Sequence, residues 1–205
     1  PSRPTVHAET NRGEVKIYWN DIAESSRDVV TGYADFEGYK IYKSRDGGSS
    51  WGTASDMIFD NDGFFVGWTP YRQFDLSEDE DSLHCAYSGD PEKCEGDPTQ
   101  QRGHGISGYD PYFPWFSLGE NTGFSVIRLD SLDWRTFPGD TFTYKYMFID
   151  SNVVDGLEYT YSVVAYDMGV EPPSNITYQD IGNGEFEEIV ETNYSNPDKW
   201  ADPDG

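Results

Sequence analysis

Four short stretches of this chain alternate apolar and polar residues with a period of two, and no other feature limits the fold as strongly. In Glu14–Asn20, Val15, Ile17 and Trp19 fall on one side, while Glu14, Lys16, Tyr18 and Asn20 fall on the other. Phe36–Ser44 sets Tyr39 and Ile41 on one face against Lys40, Tyr42 and Ser44. Phe142–Phe148 and Leu157–Tyr166 alternate in the same way. Side chains of a strand point to opposite faces in turn, so this period marks half-buried strands. Turn signals punctuate them at Asn11-Arg12-Gly13, Arg45-Asp46-Gly47-Gly48 and Asp155-Gly156. Pro4–Ala8 reads as a short edge strand, where the missing proline N–H costs nothing. With 21 Gly and 12 Pro in 205 residues, few stretches have room for a long helix. The expectation is an all-β protein.

Taken in order, these pieces resemble a fibronectin type III domain. A proline-led edge strand is followed by the Trp19-bearing strand, then by Gly38-Tyr39-Lys40-Ile41-Tyr42. Later comes Gly156-Leu157-Glu158-Tyr159-Thr160-Tyr161-Ser162-Val163-Val164-Ala165-Tyr166. The resemblance covers about residues 4–50 and 140–180, and implies a fibronectin type III/immunoglobulin-like β-sandwich over 1–50 and 140–180. It implies a core built on Trp19, Tyr39, Tyr159 and Val163, with Tyr159 also making a corner hydrogen bond. Ser174–Tyr178 is the candidate last strand. The family is mostly a spacer or adhesion scaffold, so the likeness speaks to architecture more than to activity.

The departure from that family is residues 51–139, an acidic, aromatic-rich and loop-rich insertion far longer than an ordinary connection. Three stretches in it read as strands: Asp56–Phe59, Phe64–Trp68 and Phe124–Leu129. Residues 181–205 form an acidic C-terminal tail or a link to a next unit, in which Gly184–Glu191 reads as a strand or a short helix. The chain starts at Pro1 and not at Met, which reads as a processed chain or a fragment.

Charge decides which partners to expect. Thirty-eight acidic and 14 basic residues give a formal net charge of −24. Phosphate binding needs clustered Lys and Arg, so nucleic acid is not expected, and neither is an anionic membrane surface. No apolar run approaches the roughly 20 residues of a membrane-crossing helix, so membrane insertion is not expected. Calcium is the natural counter-partner, since it collects carboxylate and carbonyl oxygens; plain solvation of a secreted chain is the other reading of the same charge. Asp60-Asn61-Asp62-Gly63 has the look of a calcium loop, but Ile58 stands where an EF-hand needs an oxygen ligand. Asp60 and Asp62 therefore belong either to a looser cation site or to a hairpin turn. Asp75–Asp81 packs five carboxylates into seven positions, including Asp79 and Asp81, and is either a second cation site or a solvated loop.

Cys85 and Cys94 flank a turn-forming stretch, Ser88-Gly89-Asp90-Pro91, and read as a local disulfide of an extracellular protein. Two free thiols are the alternative. Tyr109, Tyr112 and Trp115 lie in a proline-broken aromatic run that is either an exposed platform for glycans or protein partners, or a small core of the insertion. His7, His84 and His104 sit in no nucleophile motif, and there is no His-Glu-x-x-His or phosphate loop. The sequence thus points to a non-enzymatic extracellular or cell-surface module. It would make structural or adhesive contacts with other modules or with copies of itself, and calcium would stabilise it. A carbohydrate-binding module is the alternative.

Overall fold

The computed structural model describes residues 1–26, 36–77, 80, 108–110, 113–167, 174–182 and 185–192. In chain order its strands are β1 (Val6–Asn11), β2 (Glu14–Trp19), β3 (Phe36–Ser44), β4 (Met57–Phe59), β5 (Phe65–Trp68), β6 (Arg72–Asp75), β7 (Gly108–Tyr109), β8 (Ser117–Gly119), β9 (Tyr146–Asp150), β10 (Thr160–Asp167), β11 (Ser174–Gly182) and β12 (Glu185–Thr192). All described pairings are antiparallel. The two 3-10 turns described, Ala54–Asp56 and Ser131–Asp133, are three residues each. The all-β expectation therefore holds.

Two three-stranded sheets, ordered β1-β2-β9 and β10-β3-β6, share one buried core. Val15, Ile17 and Trp19 of β2 and Tyr146 of β9 meet Tyr39 and Ile41 of β3 and Val163 of β10. Trp19 stacks on Tyr146 at 5.7 Å between centroids and presents an edge to Tyr39 at 5.6 Å. Each such aromatic pair adds about 0.5–1.5 kcal/mol beyond the area it buries. Aromatic bulk thus offsets the modest share of aliphatic residues.

Tyr159 departs from the expected core. It is half-buried and lies outside this cluster, because it precedes β10 at the open end of the sheets. Its hydroxyl accepts a hydrogen bond from the Val154 backbone N–H at 3.1 Å. Tyr18 departs the other way, buried on the face expected to meet solvent. Phe137 covers that face, 5.3 Å from the Tyr18 ring and stacked on His7 at 3.6 Å.

Residues of the 51–139 insertion join the shared core. β6 pairs with β3 from Gly38↔Asp75 to Ile41↔Arg72, and Leu76, Phe124 and Ile127 are buried in the central cluster. The pairing is tight at Gly38, where a Cβ would stand 2.2 Å from the Phe74 carbonyl oxygen. Phe124–Leu129 is a tight turn and not a strand. The backbone N–H groups of Ile127 and Arg128 both donate to the Phe124 carbonyl, at 3.0 and 2.7 Å. Spaced three apart, Phe124 and Ile127 both face the core in this turn, while Val126 is exposed. The turn then borders β9 through Met147 N–H donating to Ile127 O at 2.8 Å and Leu129 N–H donating to Lys145 O at 2.8 Å.

Strand ends also shift inward from the alternating stretches. β9 starts at Tyr146 and not Phe142, and β10 starts at Thr160 with Leu157 exposed. The candidate last strand, β11, pairs with β12 in a separate two-stranded sheet and not with β10. Of the stretch Gly184–Glu191, Glu185–Glu191 lies in β12 and Gly184 lies outside the described residues.

Candidate functional site

Lys43 and Asp150 continue the inward parity of their strands, behind Tyr39 and Ile41 on β3 and behind Tyr146 and Phe148 on β9. Each is therefore carried to the edge of the core, where an isolated charge is costly. They meet there, Lys43 Nζ to Asp150 Oδ2 at 2.7 Å, with both side chains almost fully buried. Tyr161 donates its hydroxyl to Asp150 Oδ2 at 2.7 Å, and Tyr71 donates to Oδ1 at 2.9 Å. The Asn152 backbone N–H donates to Oδ1 at 2.9 Å. Lys43 also donates to the Asn152 carbonyl and lies 4.5 Å from the Tyr159 ring centroid and 5.0 Å from that of Tyr71. Burial alone would raise the Asp150 pKa; the bonds from Lys43, Tyr161, the Asn152 backbone and Tyr71 outweigh it and hold the value below normal. Burial and the Asp150 carboxylate push the Tyr161 hydroxyl well up.

A cleft of about 440 Å³ opens beside this pair. Trp51, Tyr71, Arg45, Asp56, Thr69 and Asn152 are among the residues that line it. Its wall is a turn held by many bonds. The Ser44 hydroxyl donates to Asp46 Oδ1 at 2.7 Å and accepts the Gly48 N–H at 2.9 Å. Asp46 in turn accepts the Ser50 N–H at 2.9 Å and the Ser50 hydroxyl at 2.7 Å. These donors, Ser44 foremost, hold the Asp46 carboxyl down at about 2. The turn sets Trp51 against Gly48, whose backbone has φ +91°, and edge-on to Tyr42 at 6.2 Å. On the next segment, Asp56 Oδ2 accepts the Thr53 N–H and hydroxyl, each at 2.7 Å. Thr69 N–H donates to the Asp56 carbonyl at 2.7 Å, tying the far side of the β4–β5 hairpin to the same wall.

The residues singled out from sequence are spread over other places. Trp19, Tyr39 and Val163 are in the core. Asp60 caps the β4–β5 turn, its Oδ1 accepting the N–H groups of Asp62 at 3.0 Å and Phe64 at 2.8 Å, while Asp62 is exposed. Among the described residues, no group of three or more His, Cys, Asp or Glu is arranged to hold a metal ion. Asp79, Asp81, Cys85, Cys94 and Tyr112 lie outside the described residues, so the disulfide and half of the cation candidates fall there too. Tyr109 is 66% exposed, and Trp115 is half-buried between Phe113 and Phe116, at 5.9 and 6.4 Å. The β7–β8 hairpin that carries them docks on the outer face of β3, where Lys40 donates to the Ser117 carbonyl at 2.9 Å. Burial there lowers the Lys40 pKa to about 8 against the pull of Asp110 and Asp167.

The cleft and the Lys43–Asp150 pair were not found from sequence, because their parts lie far apart along the chain. One signal pointed to them: Lys43 keeps the parity of Tyr39 and Ile41, and a lysine on an inward face requires a partner. Among the described residues no helix is long and apolar enough to cross a membrane. No family model, curated protein or solved structure matches this chain.

Proposed function

We propose that the chain is a non-enzymatic extracellular or cell-surface module with a fibronectin type III/immunoglobulin-like sandwich, built to make protein–protein contacts within a larger assembly. The observation that carries this reading is the outer edge of β10. Among the described residues Thr160–Ala165 of β10 pair only with β3, and β11 pairs with β12. An open edge offers a row of backbone donors and acceptors to an added strand. The two-stranded β11–β12 sheet is the complementary half, since an isolated hairpin is marginal in water and gains by joining another sheet.

Strand order supports the sandwich. In immunoglobulin-type domains the first, second and fifth strands are neighbours in one sheet, and the third and sixth adjoin in the other. The orders β1-β2-β9 and β10-β3-β6 follow that plan if β1, β2, β3, β9 and β10 are those strands. The Tyr159 hydroxyl bond to the Val154 backbone also fits the corner bond that the resemblance implies.

Calcium belongs to the proposal as the cation that offsets a net charge of −24 where two such chains meet. Sedimentation of the purified chain in millimolar calcium, and again with chelator, tests both parts. Reversible growth into larger species in calcium supports an assembling module. A monomer under both conditions removes self-assembly and calcium from the reading, leaving contacts with other modules.

A further inference from the structure

The contact reading leaves the cleft beside Lys43 and Asp150 without a role, and its construction points to a ligand. Its volume of about 440 Å³ falls in the range of small-molecule sites, about 300–1,000 Å³. Its walls are fixed before anything binds, by the Ser44–Asp46–Ser50 bonds, the Thr53–Asp56 bonds and the Tyr71–Asp150 bond. A preformed wall spares the ligand the cost of ordering it.

The lining also defines what fits. Trp51 and Tyr71 supply aromatic surface, which suits a ligand with a flat apolar face. Around them stand groups with hydrogen-bonding capacity left over. Arg45 is exposed and forms no ion pair among the described residues, its guanidinium lying 5.9 Å from the Tyr159 ring. Asp56 uses only Oδ2 in its turn, and the Thr69 hydroxyl has no partner among the described residues. These donors and acceptors suit a ligand with several hydroxyls. Lys43 is neutralised by Asp150, and Arg45 shares the lining with two carboxylates, Asp46 and Asp56, which leaves the cleft one negative charge and no excess of cations for an anion. The net charge of −24 repels an anion over a longer range. A pyranose has an apolar C–H face and a rim of neutral hydroxyls, and meets all of these conditions.

We propose that this cleft binds a sugar unit of a neutral oligosaccharide, with Trp51 and Tyr71 as the stacking surfaces and Arg45, Asp56 and Thr69 as the polar contacts. The site is separate from the aromatic run at Tyr109–Trp115 and from the β10 edge, so it stands or falls independently of self-assembly.

Titration calorimetry and tryptophan fluorescence of the intact chain, with neutral trisaccharides of gluco, manno and galacto configuration, test the proposal. At least one trisaccharide is expected to bind at millimolar concentration or better. Trp51→Ala is expected to weaken it at least tenfold, and Arg45→Ala or Thr69→Ala severalfold. Trp51→Phe guards against misfolding, since it keeps an aromatic ring and should retain part of the affinity. A trisaccharide of uronic acids is expected to bind more weakly than its neutral counterpart. No binding by any neutral trisaccharide overturns the proposal. Binding unchanged in Trp51→Ala but lost in Trp115→Ala also overturns it, by moving the sugar site to the insertion loop.

Discussion

Two carboxylates tie the sheets together at opposite ends of the same strands, and their chemistry is opposed. At one end Asp150 of β9 meets Lys43 of β3, and two tyrosines and a backbone N–H complete its shell. At the other end Glu24, in the loop after β2, accepts hydroxyls from Tyr39 of β3 at 3.1 Å and from Tyr146 of β9. Glu24 has no ion pair among the described residues, and burial, only partly offset by its two tyrosine donors, raises its pKa. Asp150 has a cation and is depressed. The comparison teaches that location at the core edge does not set the direction in which a carboxyl's pKa moves; the presence of a buried cation does.

The largest expected effect comes from breaking the charged end. Asp150→Asn leaves Lys43 buried without its counter-ion and is expected to cost about 3–5 kcal/mol in denaturant unfolding. A companion Lys43→Met change should recover much of that loss, because the uncompensated charge is gone. If the double variant is no better than Asp150→Asn alone, the ion pair is not what holds that end.

Next come the tyrosines that bridge the sheets. Tyr161→Phe and Tyr146→Phe each remove one hydrogen bond to a carboxylate, expected to cost about 1.5–3 kcal/mol. The Tyr146 change should cost more as pH rises through the raised folded pKa of Glu24, since the ionised carboxylate then loses a donor. Equal losses at all pH values would erase the distinction between the two ends.

The smallest effect is the pH dependence itself, and its sign separates the two carboxylates. Glu24, raised in the fold, contributes stability that is complete below its ordinary value of about 4.3 and is lost as pH rises through its higher folded value. Asp150, depressed in the fold, contributes stability present above about 3.9 and lost as pH falls through its lower folded value. Glu24→Gln should therefore flatten the stability curve on the neutral side of pH 4.3 and leave the acid limb in place. Denaturant midpoints measured in steps from pH 3 to 7 would show it, and a flattened acid limb would contradict the assignment.

The sequence showed its strands better than its contacts. Phe36–Ser44 matches β3 end to end, because alternation and the Arg45–Gly48 turn are both local signals. Phe124–Leu129 was misread because a core-facing turn and a strand both place apolar residues close together, and only the partner chosen by Phe124 and Ile127 distinguishes them. Tyr18 was expected outside because nothing near it announces that Phe137 folds back over β2. At the cleft, Arg45 and Trp51 of the β3–β4 connection meet Tyr71 and Asn152 from two other connections, and no local spacing gathers the three. The parity of Lys43 was the one local trace of that end of the molecule.

Two sheets thus share a core pinned at both ends, and among the described residues Thr160–Ala165 of β10 leave their outer edge open. Amide hydrogen exchange of the monomeric chain, read residue by residue, tests it most directly. Amides of Gly38–Ile41 in β3, paired on both sides, should exchange slowly, while those of Tyr161–Ala165 that do not bond to β3 should exchange fast and become protected on assembly. Slow exchange of every β10 amide in the monomer would contradict the account, because a strand of the same chain would then already cover the edge.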